Sequence, residues 1–199
     1  MGAVTADGDD APGWASIEAA FSEVYPGVEP RHYSPGPPVS LCGILDGISA
    51  YETPQGWHLV TFGLTELFAK DSDDDKVSGW GYELTLRTPR DGEPQGWALE
   101  LVQAVAQVSQ QRGVRFGEGH RLDVGGSIGG DGSALRALAF TRDRAVQPGV
   151  FPFGQYMFLQ MVGVTTAELQ DMKANSTAAV LRRLADRDDA LRTDPGRQG

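Results

Sequence analysis

The sequence predicts a single mixed domain of strands and helices, and three observations point there. Two strand-like runs, residues 57–64 and 80–87, flank an acidic loop and hold, with Trp97 just beyond, three of the four tryptophans. Residues 97–112 carry a helical pattern. The 26 glycines and 12 prolines imply many turns, which suits a loop-rich mixed fold better than a helical bundle. At 199 residues the chain can bury about 70% of its unfolded surface without metal or disulfide staples.

Residues 1–11 are small, polar and acidic, the composition of a disordered tail, and the domain is expected over residues 12–190. Trp14, Ile17, Phe21 and Val24 share one helical face, and Tyr25-Pro26-Gly27 stops that helix. The proline-rich stretch from Glu29 to Pro38 reads as an extended loop. Leu41 to Glu52 reads as a strand region with Asp46-Gly47 as a hairpin turn or a bulge. Residues 57–64 are apolar on both alternating sets, as in a central strand covered on each face. Residues 80–87 alternate Trp80, Tyr82, Leu84 and Leu86 with Gly81, Glu83, Thr85 and Arg87, which predicts one buried face and a place nearer a sheet edge. Leu64 to Lys70 is expected to make a short helical turn.

In 97–112 a narrow polar stripe of Glu100, Gln103, Gln107, Gln110 and Gln111 leaves the rest for burial, and Gly113 stands where a C-cap belongs. Short strands are expected at 120–124 and 137–141 around a glycine-rich connector, and a buried strand at 156–164. Thr165 and Glu168 match the S/T-x-x-E capping box, so a helix begins there, and Asn175-Ser176 caps a last one that turns Val180, Leu184 and Leu191 inward. Residues 191–199 read as a frayed C-terminal tail.

The net charge of −10 and a pI near 4.7 disfavour nucleic acid and anionic membranes as partners and suit a basic protein. One cysteine, Cys42, rules out an internal disulfide and any cysteine-based zinc knuckle; the default for it is a buried small residue in a reducing compartment. With neither a basic n-region nor an apolar h-region, and no membrane-length apolar run, the chain reads as cytoplasmic.

Catalytic and cofactor motifs are sought without success. The acidic loop 71–75 fails the EF-hand template, having Lys76 at the glycine position and Tyr82 at the final glutamate, and reads as a solvated connection. Gly125 to Asp131 lacks the Lys and Ser/Thr of a P-loop. His32, His58 and His120 form no HExxH, and His58, inside a buried strand, reads as a structural histidine with a satisfied ring nitrogen. Glu83 falls on the polar set of its strand, where an ion pair is the favoured reading over a buried carboxylate. No cofactor is expected, and no enzymatic activity.

Three segments in register resemble the Suppressor of Fused family, specifically its N-terminal domain. They are Trp57-His58 with Phe62-Gly63-Leu64-Thr65-Glu66-Leu67; Gly79-Trp80-Gly81-Tyr82-Glu83-Leu84-Thr85-Leu86-Arg87 with the helix opening at Trp97; and Gln147-Pro148 with Pro152-Phe153-Gly154, then 158–164 and 166–169. The resemblance implies an α+β domain with a mixed β-sheet flanked by helices, binding proteins instead of catalysing reactions. Animal members clamp a peptide as an added strand between two domains; this chain ends where the second would begin, so that clamp is not expected. Single-domain bacterial members resemble immunity proteins, which would make the partner a basic toxin or effector. A generic adaptor, or an enzyme of unrecognised type, is the alternative. The family's ligand-facing acid lies in a G-D-H turn, matched here by Gly117-Glu118-Gly119-His120, so Glu118, His120 and nearby Asp123 are the candidate protein-binding residues.

Overall fold

Hydrophobic alternation becomes a sheet and helical periodicity becomes its cover in the computed structural model, which describes residues 11–34, 45–148 and 152–198. In chain order the described elements are α1 (Pro12–Val24), β1 (Arg31–Tyr33), β2 (Gly47–Thr53), β3 (Gly56–Phe62), β4 (Val77–Thr88), α2 (Gly96–Arg112), β5 (Arg121–Asp123), β6 (Leu135–Arg142), β7 (Gln155–Thr165), α3 (Thr166–Ala174) and α4 (Thr177–Ala185). The strands form one sheet of order β1-β2-β3-β4-β7-β6-β5. Every pairing is antiparallel except β4 with β7, which is parallel. The fold is therefore α+β with a mixed sheet flanked by helices, as the resemblance implies.

Alternation sorts the side chains onto two faces. Trp57 and Leu59 of β3, Tyr82, Leu84 and Leu86 of β4, and Leu159 and Met161 of β7 pack beneath Ala98, Val102 and Val105 of α2. On the opposite face Ile17 and Phe21 of α1 cover Tyr51, Val60, Phe62 and Phe158. Further along that face, Leu169 of α3 and Val180 and Leu184 of α4 cover Ala137, Ala139, Val162 and Val164. Each large apolar side chain buried this way contributes about 1.5–3 kcal/mol.

Local chemistry sets the helix ends. Gly113 caps α2 in the left-handed region at φ 66°. Thr165 Oγ1 accepts from the Glu168 N–H at 3.2 Å while Glu168 Oε2 accepts from the Thr165 N–H at 2.8 Å, completing the capping box of α3. Ser176 Oγ accepts from the Ala179 N–H at the start of α4. Helix α1 can lie close because Gly13 has no side chain: a Cβ there would stand 2.3 Å from Glu66 O.

Several expectations are corrected. β4 sits at the centre of the sheet between β3 and β7, not near an edge, because its polar set is buried against other polar side chains. The hairpin turn is Pro54-Gln55, since Thr53 pairs with Gly56, and Gly47 opens β2 instead of forming a turn. Residues 64–70 make successive bends without a helical turn. The glycine-rich connector is anchored, with Ile128 buried and its N–H donating to Leu135 O at 3.0 Å. Residues 191–198 lie against the sheet in place of a frayed end. Thr193 is fully buried, its N–H donates to Arg87 O, and its Oγ1 accepts from the Gly163 N–H. The readings for residues 1–10, for 35–44 including Cys42, and for 149–151 lie outside the described residues.

Candidate functional site

The site expected around Glu118, His120 and Asp123 is built where the chain leaves α2. After the Gly113 cap, Phe116 stacks on Phe140 of β6 with ring centroids 4.4 Å apart. A turn closed by the His120 N–H on Gly117 O then delivers the chain to β5. Phe140 exchanges backbone hydrogen bonds with Gly119 and His120, which fixes the start of the strand. Glu118, His120 and Asp123 are all exposed. The structure thus places Glu118 in the turn before β5, His120 at the entry to the strand and Asp123 at its end.

The β5 edge has a defined polarity. The Phe140 N–H donates to His120 O and the Val124 N–H to Arg136 O, so the His120 carbonyl and the Val124 N–H point toward β6. In an antiparallel ladder the intervening residues 121 and 123 then present their backbone groups outward. β5 is the last strand of the sheet, and among the described residues no strand pairs with its outer side. Arg121 braces it from behind, donating to Thr177 Oγ1 at 2.7 Å and to Met172 O at 3.3 Å. Beside the strand runs a groove of about 640 Å³ walled by Leu101, Ala104 and Val108 of α2 and by Leu122, Val124 and Ile128, with Glu100 and Arg112 also lining it. An extended segment laid along β5 would place alternate side chains in that groove.

Sequence reasoning missed a polar seam inside the sheet, on the face opposite α2. Glu83 is fully buried and makes no ion pair among the described residues; its Oε1 accepts from the N–H of Gly63 and Thr65 and from Thr65 Oγ1, and its Oε2 accepts from Thr61 Oγ1 at 2.5 Å. Burial pushes its carboxyl up to about 7 against the pull of those donors. The residue ties the Gly63-Leu64-Thr65 turn to the sheet.

Two positions along β4, the second half of the seam begins. His58 donates from Nε2 to Asp143 Oδ2 at 2.8 Å, and its Nδ1 accepts from the Tyr25 hydroxyl at 2.9 Å. Thr85 Oγ1 donates to the same Oδ2, the Ala145 N–H to Oδ1, and Arg87 Nη2 reaches Oδ1 at 3.4 Å. Burial holds the His58 imidazole below its usual range, keeping it neutral, against the pull of Asp143. Burial would raise the Asp143 carboxyl, but His58 and Arg87 outweigh it and hold the group well down. His58 is the structural histidine expected, with both ring nitrogens satisfied. Tyrosine, histidine and aspartate in line resemble an acid–base relay, yet His58 and Asp143 side chains are each 1% exposed and the adjoining cavity is about 10 Å³, too small for a substrate. Nothing local in the sequence signals Asp143; only the sheet order brings it to His58.

The acidic loop is organised from within. Lys70 Nζ lies within 3.1 Å of Glu66 Oε2, Ser72 Oγ and the carbonyls of Asp74, Val77 and Phe153, five acceptors that share its three N–H donors. An ammonium thus occupies the kind of oxygen cage that a metal ion would use. Among the described residues no three His, Cys, Asp or Glu side chains cluster as metal ligands.

Comparison with known proteins gives a consistent result. The family model described as "Suppressor of fused protein (SUFU)" matches residues 44–198. The Suppressor of fused homologs of Homo sapiens and Mus musculus are each 32% identical over 156 residues, covering 70% of this chain. The chain spans about a third of the length of these curated relatives, 32% of each. Drosophila Suppressor of Fused superposes with a TM-score of 0.86 at 26% identity, over 96% of this chain and 51% of that one. A chain of the Sufu-Fu complex gives 0.82 at 27% identity over 94% and 91%. The Neisseria gonorrhoeae homolog gives 0.62 at 13% identity over 94% and 99%, a likeness of fold.

Proposed function

The chain belongs to the Suppressor of Fused family, and on that premise we propose that it is a non-catalytic protein-binding domain whose partner docks as an added strand on the β5 edge. The observation that carries this reading is the outward backbone of residues 121 and 123, flanked by exposed Glu118, His120 and Asp123 and backed by the α2 groove. A relative crystallised as the Sufu-Fu complex supports a protein as the ligand.

The finer reading is a bacterial immunity protein, cytoplasmic, that neutralises a cognate toxin by direct binding. A net charge of −10 supports it, because long-range attraction would steer a basic toxin or effector onto the domain. Glu118 and Asp123 would meet its basic groups, and His120 would supply a hydrogen bond.

The test is affinity capture from the native organism with three baits: the natural chain, Asp123→Pro, which removes an outward N–H, and Glu118→Lys. A partner held by the natural chain and lost by both variants is the expected result. A partner retained equally by all three would move the interface elsewhere. Host survival during expression of the captured protein, with and without this chain, then separates immunity from general adaptor function.

A further inference from the structure

The parallel pairing of β4 with β7 is interrupted: Val77 pairs with Gln155 and Tyr82 with Met157, so five steps on β4 match two on β7. The surplus residues loop out toward the turn after β3, where the Trp80 N–H donates to Leu64 O at 2.8 Å. Gly79 and Gly81 make this possible with φ of 50° and 81°. The bulge opens the end of the sheet into a cavity of about 900 Å³, within the size range of small-molecule sites. It lies apart from the β5 groove, and nothing in the proposed protein-binding role requires it.

Its lining is unlike the rest of the surface. Of the charged residues that wall it, Lys76, Arg115 and Arg142 are cationic and Asp75 is the one acid, giving a balance of three minus one, or +2, on a chain whose net charge is −10. Arg115 is held in place by donating to Gly79 O at 3.2 Å, which leaves the rest of its guanidinium for a ligand. Arg142 is exposed and forms no ion pair among the described residues. Trp80 and Met157, both half-buried, supply an aromatic plane and a polarisable wall. The Lys70 cage steadies one side of it, since it binds the carbonyl of the lining residue Val77 and those of Asp74 and Phe153, the neighbours in sequence of the lining residues Asp75 and Gly154.

We propose that this cavity binds a small organic anion bearing an aromatic ring, with Arg115 and Arg142 taking the acid group and Trp80 the ring. The two features are complementary: guanidinium forks select planar or tetrahedral oxyanions, and the apolar wall rejects inorganic ions that cannot use it.

The probe is 8-anilinonaphthalene-1-sulfonate, which joins an aromatic system to a single anionic group and brightens on binding. Saturable binding at one site per chain is expected, with energy transfer from Trp80 that Trp80→Phe reduces. Arg142→Glu should weaken it by about tenfold or more, the worth of one charged hydrogen bond. Arg142→Gln should fall between, and unchanged melting curves would confirm that both variants fold. N-phenyl-1-naphthylamine, which keeps the rings and lacks the sulfonate, should bind at least about tenfold more weakly. Binding without saturation, equal affinity for the neutral analogue, or indifference to Arg142→Glu would each overturn the assignment. None of these readouts depends on the β5 edge, so its failure and the failure of the protein-binding reading remain distinguishable.

Discussion

His58 on β3 donates its Nε2–H to Asp143, 85 positions later, at 2.8 Å, and this bond joins two distant parts of the chain through the middle of the sheet. Asp143 also accepts from Thr85 and Ala145 and faces Arg87. One carboxylate therefore collects four donors in a place where the buried His58 N–H and Thr85 hydroxyl would otherwise lose this acceptor.

Asp143→Ala should cost about 3–5 kcal/mol in urea denaturation at pH 7, because it strands the histidine N–H and the Arg87 charge. Asp143→Asn retains an acceptor and should cost about half as much. Equal losses would assign the effect to packing instead of charge. The folded-state pKa of His58 is lowered, so its contribution is present above the ordinary histidine value of 6.5 and declines as pH falls below it.

Glu83 behaves in the opposite sense. Its folded carboxyl titrates near 7 against an ordinary 4.5, so the fold favours the protonated form. Its share of stability is complete below 4.5 and is lost as pH rises to about 7, a change of about 3 kcal/mol. Glu83→Gln should flatten that loss. The measurement is the stability difference between natural chain and variant from pH 4.5 to 8, which cancels the His58 contribution; a difference independent of pH would contradict the shift.

Lys70→Met should empty the oxygen cage, cost about 1–2 kcal/mol for its partly exposed hydrogen bonds, and speed proteolysis within residues 71–76. Calcium added to the natural chain should leave its melting temperature unchanged. A calcium-dependent rise would mean that the loop prefers a metal to the lysine.

Gly13→Ala should destabilise the chain by about 1–3 kcal/mol although alanine favours helices, because the new Cβ would meet Glu66 O at 2.3 Å. Thermal melts of the variant check it, and a stabilised protein would show that α1 shifts without penalty.

Much of the scaffold was legible because its signals are local. The run 57–62, apolar on both alternating sets, the polar stripe of α2, the Gly113 cap and the Thr165–Glu168 box each require only neighbours in sequence. The central position of β4 was not, because Glu83, Thr85 and Arg87 read as a solvent face until the partners that bury them are known. Asp143 carried no signal at all, since the side chains that pair with it, His58, Thr85 and Arg87, lie on β3 and β4. Glu118, His120 and Asp123 could be named only through the family resemblance: a three-residue strand such as Arg121–Asp123 shows no period from which an edge can be recognised.

The lone parallel contact between β4 and β7 divides the sheet into two runs of antiparallel neighbours, β1 through β4 and β5 through β7. Each run is connected in sequence order and can zip from its own turns with little loop-closure entropy. Joining them is the costly event, because β4 must find β7 across the intervening α2, β5 and β6. Folding should then be limited by that suture, with His58–Asp143 forming late as its latch, and a chain severed between residues 89 and 95 is a natural candidate for reassembly from two separately produced pieces.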